Sequence, residues 1–254
     1  NSVFRFLANS LTFTALAVLI SPVSVKADHG VFNPKTFTLS NGMQVVVISN
    51  HRVPVVSHMV WYKAGSADEL PGKSGVAHFL EHLMFKGTHK LPSGEFSKTV
   101  ARVGGSENAF TSLDYTGYYQ NVAVEHLETM MRMEADRMKN LVFDPREVET
   151  ERLVVLEERS QRTDNNPSAV LREHVSSVLF LNHPYRRPII GWKHEIQDLN
   201  INDLQAFYDK WYNPGNAVLV VAGDITLALL KPMAERTYGQ IPASATIQRD
   251  RPSE

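Results

Sequence analysis

The sequence predicts an α+β fold in which helices pack mainly on one face of a mixed β-sheet. Two observations support this prediction. Short segments rich in valine, threonine and aromatic residues are typical of strands, and longer segments with helical spacing of apolar residues lie among them. The two kinds of segment follow one another in irregular order, which favours helices layered on a sheet.

The predicted strands are short, and the first two flank a loop at residues 50–54. The third and fourth are rich in Thr, Tyr and Phe and are close enough in sequence to form a hairpin. The last is apolar along its whole length. In order, the predicted strands are residues 43–49, 55–64, 108–112, 115–122 and 217–222.

Helices are predicted where apolar residues recur at intervals of three and four. Asp144 and Pro145 mark one helix start, because Asp is a preferred N-cap and Pro is favoured in the first turn. The methionine-rich run at 130–138 is predicted to be core or an interface. After a first helix that ends at Gly87, the predicted helices are residues 93–103, 125–139, 144–163, 167–181, 201–212 and 227–238.

The first helix carries the clearest chemical pattern, His78-Phe-Leu-Glu-His82. Imidazoles four residues apart share one helix face, so both can reach a single metal ion. Glu81 lies on nearly the same face, where a carboxylate can act on a water molecule at that metal. Apolar residues on most sides predict a buried helix, with Ser74 as its N-cap. The alternative is a helix that carries two histidines without a metal.

A third ligand is expected from a different element, and the fourth predicted helix supplies candidates. Glu151 and Glu158 share one face of that helix and bracket an apolar pair, Val154 and Val155, which is predicted to be buried. Glu157 lies about 100° round the helix and is predicted to face solvent. We interpret Glu158 as the metal ligand and Glu151 as its supporting carboxylate; the alternative is a charged surface helix.

Composition restricts the kind of site and partner. The 254 residues carry a formal net charge of −1, so no basic excess points to nucleic acid. The sequence contains no cysteine, which excludes disulfides, cysteine zinc sites and thiol catalysis. The eight other histidines show no pairing at metal-ligand spacing and are interpreted as structural or exposed.

Residues 1–27 differ from the remainder of the chain. Arg5 precedes an apolar run at residues 11–20, and a small-residue site ends at Ala27, which together are typical of a secretory signal peptide. The predicted location is the bacterial periplasm or the exterior, with no stable membrane span after cleavage. The alternative is an uncleaved anchor in the inner membrane, although the apolar run is short for a span.

Several motifs occur together in one order: His78-Phe-Leu-Glu-His with Leu-Met-Phe-Lys-Gly-Thr, then residues 104–116, 151–158 and 213–224. In these motifs the sequence resembles the N-terminal half of the pitrilysin or insulinase-type zinc metallopeptidases, which include insulin-degrading enzyme and the mitochondrial processing peptidase. The resemblance extends from about residue 37 to residue 242. It implies a fold like one half of the mitochondrial processing peptidase.

The resemblance also implies roles for individual residues. One Zn²⁺ would be held by His78, His82 and Glu158, with Glu81 as the general base and Glu151 supporting the site. The position of Glu158 on the helix face and the resemblance thus favour Glu158 over Glu157 as the ligand, independently of each other. Manganese or cobalt can use the same ligands, so the sequence leaves the identity of the metal open.

The resemblance further implies a peptide substrate and a second half. Asn108 and Ala109 would lie on an edge strand that binds the backbone of a peptide or an unfolded segment. Residues 28–242 form the expected catalytic domain, and the polar residues 243–254 form a linker toward a homologous half or a partner subunit. Two alternatives remain: a non-catalytic scaffold subunit of a two-part peptidase, and a purely structural zinc site.

Overall fold

A computed structural model describes residues 32–245 and 247–249 of the chain. The strands β1 to β6 are Lys35–Thr38, Gln44–Ser49, Val55–Tyr62, Ser106–Thr111, Thr116–Ala123 and Ala217–Gly223. They form one sheet in the order β1-β2-β6-β3-β5-β4. β2 and β6 run parallel, whereas every other neighbouring pair is antiparallel. The sheet is therefore mixed, as predicted.

The helices α1 to α8 are Val76–Leu83, Glu95–Arg102, Leu127–Asn140, Pro145–Arg159, Pro167–Leu179, Lys193–Asp198, Ile201–Trp211 and Leu227–Arg236. α3 packs on β3 and β5, and α8 packs on β2. Alternate residues of β3 are fully buried on that side, including Val60 and Tyr62, whereas the residues between them are half-buried. The predicted α+β class, with helices mainly on one face, is confirmed.

The methionines of α3 belong to the hydrophobic core. Met130, Met131 and Met138 are completely buried, and Met133 is nearly so. Their helix packs against β3 and β5, so the flexible thioether side chains fill the space between the helix and the sheet. The prediction that this run is core is confirmed.

Two elements were not predicted from the sequence. Strand β1 has four mostly exposed residues, so it lacks the apolar pattern that marks a strand. It pairs with β2 across a turn in which Gly42 has a φ of +90°. Helix α6 has only six residues, of which Ile196 alone is buried. A helix of this length is too short to show a periodic apolar pattern.

Some predicted boundaries are also wrong. α1 ends at Leu83 and not at Gly87. The helix predicted at 144–163 is regular only as far as Arg159, and residues Ser160–Asp164 form a wider π-helical turn. Turns of this kind are often found at functional sites.

The predicted signal peptide at residues 1–27 lies outside the described residues. In the part of the chain that the structure describes, no helix combines the length and apolar character that crossing a membrane requires.

Candidate metal centre

Helix α1 presents His78 and His82 on one face, one turn apart. The helix is packed between α4, α7 and the edge strand β4, which explains why apolar residues cover most of its circumference. The two imidazole rings lie 4.8 Å apart between their centroids. His78 is buried and His82 is half-buried, so both side chains point into a sheltered site.

The first turn of α1 corrects one prediction. Ser74, expected to be the N-cap, is buried, and its Oγ accepts a hydrogen bond from the backbone N of Trp192 at 2.8 Å. The N-cap is instead Gly75, whose φ of +87° is favourable for glycine. A Cβ on Gly75 would lie 2.6 Å from the carbonyl oxygen of Ile190. Close packing of the distant loop against this turn therefore decides which residue begins the helix.

Helix α4 carries the two predicted carboxylates. Asp144 is its N-cap, as predicted, and accepts a hydrogen bond from the backbone N of Arg146 at 2.8 Å. Glu151 and Val155 are buried against α1. Val154 is 45% exposed, however, so the prediction of a buried valine pair is wrong for this residue. α1 covers only one side of α4, and Val154 lies about 100° away from Val155 round the helix.

The packing of α4 on α1 brings Glu158 to the two histidines. One donor atom from each of His78, His82 and Glu158 lies within 4.8 Å of the others. Glu158 Oε2 is 3.2 Å from His82 Nε2 and 3.7 Å from His78 Nε2. The neighbouring Glu157 is exposed, as predicted, and accepts a hydrogen bond from Gln161. Two imidazoles and a carboxylate are the donor set of an open zinc site, so these residues fit that metal.

Glu151 orients one of the histidines. Its Oε1 lies 2.8 Å from His82 Nδ1, and its Oε2 lies 2.5 Å from Lys86 Nζ. A hydrogen bond from Nδ1 to the carboxylate fixes the ring so that Nε2, the atom that would bind a metal, points toward Glu158. The structure therefore places Glu151 in contact with His82, and its supporting role stays a prediction.

The charges around the site shift the two histidine pKa values in opposite directions. Burial and the positive charge of His82 lower the pKa of His78 to about 4. Burial also acts to lower the pKa of His82, but its hydrogen bonds to Glu151 and Glu158 outweigh burial and raise that pKa to about 9. At neutral pH these shifts favour a neutral His78 and a protonated His82.

Glu81 lies beside the three convergent residues and is held by the edge strand. The hydroxyl of Thr111 on β4 donates a hydrogen bond to Glu81 Oε2. Burial raises the pKa of Glu81, although the hydrogen bond from Thr111 acts in the opposite direction. A carboxylate whose pKa is raised in this way is a better proton acceptor than an ordinary surface glutamate.

The predicted peptide-binding residues lie in the same cleft. Strand β4 is an edge strand, because only β5 pairs with it in the described sheet. Asn108 is exposed, and its side-chain oxygen accepts a hydrogen bond from the backbone N of Ala109 at 2.9 Å. Both residues line a cleft of about 840 Å³ together with His78, Glu81 and Glu158. An unpaired strand edge beside a metal site can receive an extended peptide.

Three residues of the site were not identified from the sequence. Arg162 Nη1 lies 2.8 Å from Glu158 Oε1, Lys86 contacts Glu151, and Thr111 contacts Glu81. Helical spacing is a signal that could have found Arg162, four residues after Glu158. Thr111 carries no such signal, because only the tertiary fold brings β4 to α1.

Two models of known protein families match this chain. The family model of insulinase, peptidase family M16, matches residues 44–193, which is more than half of the chain. This chain belongs to the insulinase family of peptidases. A second model, that of the M16 inactive domain, matches residues 198–254.

The curated relatives of this insulinase-family chain include proteins named as zinc proteases. The zinc protease PqqE of Helicobacter pylori is 40% identical over 192 residues, covering 75% of this chain and 43% of the relative. The beta subunit of the mitochondrial-processing peptidase of Blastocladiella emersonii is 33% identical over 211 residues, covering 82% and 45%. This chain therefore spans about half the length of the relatives that it matches.

Solved structures confirm the family fold. A protease from Helicobacter pylori superposes with a TM-score of 0.81 and 35% identity, covering 87% of this chain and 53% of that one. The first half of the periplasmic protease PqqL from Escherichia coli gives a TM-score of 0.79 and 26% identity, covering 87% and 49%. This chain therefore spans about half of each of these two structures, and the second of them is itself the first half of a longer protein.

Proposed function

We propose that this chain is the N-terminal catalytic half of a zinc endopeptidase that hydrolyses peptides or unfolded protein segments. The observation that carries the proposal is the convergence of His78, His82 and Glu158, with donor atoms within 4.8 Å of one another. Glu81 lines the same cleft. The zinc proteases among the relatives support the choice of reaction.

The residues that would hold one Zn²⁺ are His78, His82 and Glu158, with Glu151 fixing the orientation of His82. When bound, zinc would lower the pKa of a water molecule and polarise the scissile carbonyl group. Manganese and cobalt accept the same donors, so metal analysis is required to name the native ion.

Glu81 would act as the general base. Its carboxylate would accept a proton from the attacking water and later transfer that proton to the leaving amine. Thr111 would hold the carboxylate in place through its hydrogen bond to Oε2. The same bond ties the base to β4, the strand proposed to bind the peptide.

Asn108 and Ala109 would present the free edge of β4 to an extended peptide. Pairing with a strand edge uses backbone groups of the substrate, so it selects extended segments over folded proteins. This preference is the physical reason for proposing peptides or unfolded segments as substrates. We assign this reaction to a domain at residues 28–242, with residues 243–254 leading to a homologous half or a partner subunit.

Metal removal and restoration test the proposed reaction. We expect the purified chain to contain about one zinc per molecule, because the described residues include one three-residue donor set. Peptide hydrolysis, assayed with a quenched fluorescent peptide, should disappear on chelation and return when zinc is added. The assay should include a version of the protein extended to the length of its relatives. Full hydrolysis by the chelated protein would contradict the proposal, and bound zinc without hydrolysis by either version would favour a scaffold or a structural site.

Zinc binding should depend on pH because a ligand must lose its proton first. His82, with a pKa of about 9, is protonated at neutral pH, whereas His78, with a pKa of about 4, is not. We therefore expect release of roughly one proton per zinc bound at pH 7, and affinity that rises until the pH passes the pKa of His82. Calorimetry in buffers with different ionisation enthalpies measures this number. Glu151→Gln should reduce it, since the hydrogen bond that raises the pKa is weakened; an unchanged number would contradict the assignment.

The predicted export signal leads to a proposal about location. We propose that the protein acts outside the cytoplasm, in the periplasm or beyond it. The signal-like pattern of residues 1–27 supports this location, and the Escherichia coli relative PqqL is described as periplasmic. N-terminal sequencing of the protein from the periplasmic fraction of expressing cells tests it, with cleavage after Ala27 as the expected result. Recovery of the uncleaved chain in the cytoplasm would contradict it.

A further inference from the structure

The segment between β3 and α1 is attached to the end of the edge strand. The backbone N atoms of Ser66 and Ala67 donate hydrogen bonds to the carbonyl oxygens of Ser112 (3.0 Å) and Leu113 (2.8 Å), which directly follow β4. A Cβ on Gly65 would lie 2.3 Å from the oxygen of Ser112. Only glycine therefore allows this approach, and the segment is held tightly against the turn of the β4–β5 hairpin.

Glu69 lies two residues after Ala67 in the same segment, and its side chain contacts the first turn of α1. Its side chain is buried, and its Oε1 accepts hydrogen bonds from the backbone N atoms of Gly75 and Ala77, both at 3.0 Å. Gly75 is the N-cap but has no side chain, and Ser74 is engaged by Trp192. Glu69 therefore performs the capping that a Ser or Asp side chain usually provides from within the helix sequence.

This arrangement is energetically costly for a cap. Glu69 Oε2 is buried and has no hydrogen-bond partner among the described residues. Burial raises the pKa of Glu69 to about 8, although the two backbone N–H groups act in the opposite direction. Arg187 supports the segment from outside, since its Nη2 donates a hydrogen bond to the carbonyl oxygen of Glu69 at 2.9 Å. An exposed N-cap would satisfy the helix at lower cost, so capping alone does not account for a buried carboxyl group here.

We propose that Glu69 is a positioning residue that fixes the first turn of α1, and with it His78, relative to the edge strand β4. His78 immediately follows Ala77, whose backbone Glu69 holds. The segment that carries Glu69 is itself held by the turn after β4. Glu69 thus sets the distance between the metal centre and the strand that would receive the peptide, and an error of about 1 Å in such a distance can cost roughly 10²-fold in rate. This role rests on the proposed peptidase function.

Side-chain length and acceptor chemistry can be separated at position 69. Glu69→Ala removes the acceptor, Glu69→Asp withdraws it by one methylene group, and Glu69→Gln keeps an acceptor oxygen at the same reach. We expect hydrogen exchange of the Gly75 and Ala77 amides to accelerate by about tenfold or more in the Ala and Asp variants. Zinc affinity should fall by about tenfold in the same two variants. In Glu69→Gln, both the exchange rates of these amides and the zinc affinity should stay within about threefold of the wild-type values.

A matched control distinguishes positioning from a general loss of stability. Thr226 caps α8 by accepting a hydrogen bond from the backbone N of Leu229, away from the metal centre. Thr226→Ala should lower the melting temperature yet leave zinc affinity and exchange in α1 unchanged. The proposal is overturned if Glu69→Ala and Glu69→Asp behave like Thr226→Ala in both measurements. If Glu69→Ala does not fold, Glu69→Asp decides the question.

Zinc affinity and hydrogen exchange are measured without hydrolysis. A chain that hydrolyses no peptide, which would count against the proposed function, therefore still reports on Glu69. Where hydrolysis is present, we expect the Ala and Asp variants at saturating zinc to lose kcat with a smaller change in KM, because β4 itself is intact. A change confined to KM would contradict a role in placing the metal centre.

Discussion

Glu81→Gln is expected to lower the rate of peptide hydrolysis by about 10³-fold, in line with the loss of a general base. The amide is nearly the same size as the carboxyl group but does not accept a proton from water. Its oxygen can still accept the hydrogen bond that Thr111 donates to Glu81, so the local structure should be preserved. Zinc content should remain at the wild-type level, because the three convergent donor atoms belong to other residues. Rates from the quenched-peptide assay and elemental analysis of the same samples measure both quantities.

Glu157→Gln is the matched control for that experiment. Glu157 carries the same charge but is exposed, and its described hydrogen bond is to Gln161 on the same helix. This variant should keep wild-type activity. Full turnover by Glu81→Gln would refute the assignment of Glu81 as the base. Loss of zinc together with activity would instead place Glu81 among the metal ligands.

Glu158→Gln is expected to weaken zinc binding by more than about 100-fold, which exceeds the effect typical of residues that only support a ligand. The change removes the negative charge that faces His78 and His82, whose Nε2 atoms lie 3.7 and 3.2 Å from Glu158 Oε2. It also removes the anionic partner of Arg162, which lies 2.8 Å from Glu158 Oε1. Competition with a fluorescent zinc chelator measures the dissociation constant.

The adjacent pair of glutamates provides the sharpest comparison. Glu157→Gln and Glu158→Gln change the same chemical group at consecutive positions of one helix. Only the second should alter zinc affinity, because Glu157 lies on the solvent side. If Glu157→Gln lost the metal and Glu158→Gln retained it, the assignment of the third ligand would be reversed. Equal retention in both variants would place the third ligand on another element.

The arrangement of the site residues that lie on helices could be predicted from the sequence, because it depends on local helix geometry. Residues four apart on a helix share a face whatever surrounds them, so His78 and His82 could be paired before any fold was known. The same periodicity separated Glu158 from Glu157. Periodicity wrongly predicted that Val154 is buried. A helical period shows which residues share a side of the helix, but not how much of that side a neighbouring helix covers.

The capping of α1 shows where sequence reasoning reached its limit. A serine before an apolar run is the usual signal for an N-cap, and Ser74 matches it. In the fold, the Ser74 hydroxyl oxygen accepts a hydrogen bond from the backbone N of Trp192. Glu69 supplies the acceptor for the first turn of α1 instead. Neither contact follows a repeating spacing along the chain. Such contacts exist only once the sheet, α1 and the loops are packed together.

The local periodicity and the order of the segments were thus sufficient for the mixed α+β class. Periodicity alone also placed the two histidines and Glu81 on nearly one face of α1, and it put Glu151 and Glu158, but not Glu157, on a common face of α4. Only the tertiary structure packs α4 against α1 and brings the Thr111 hydroxyl to Glu81. It also places the segment that carries Glu69 between the end of β4 and the first turn of α1. The physical reason is the range of the interactions. A repeat of 3.6 residues is encoded within one turn of chain, whereas hydrogen bonds between distant segments depend on the packing of the whole core.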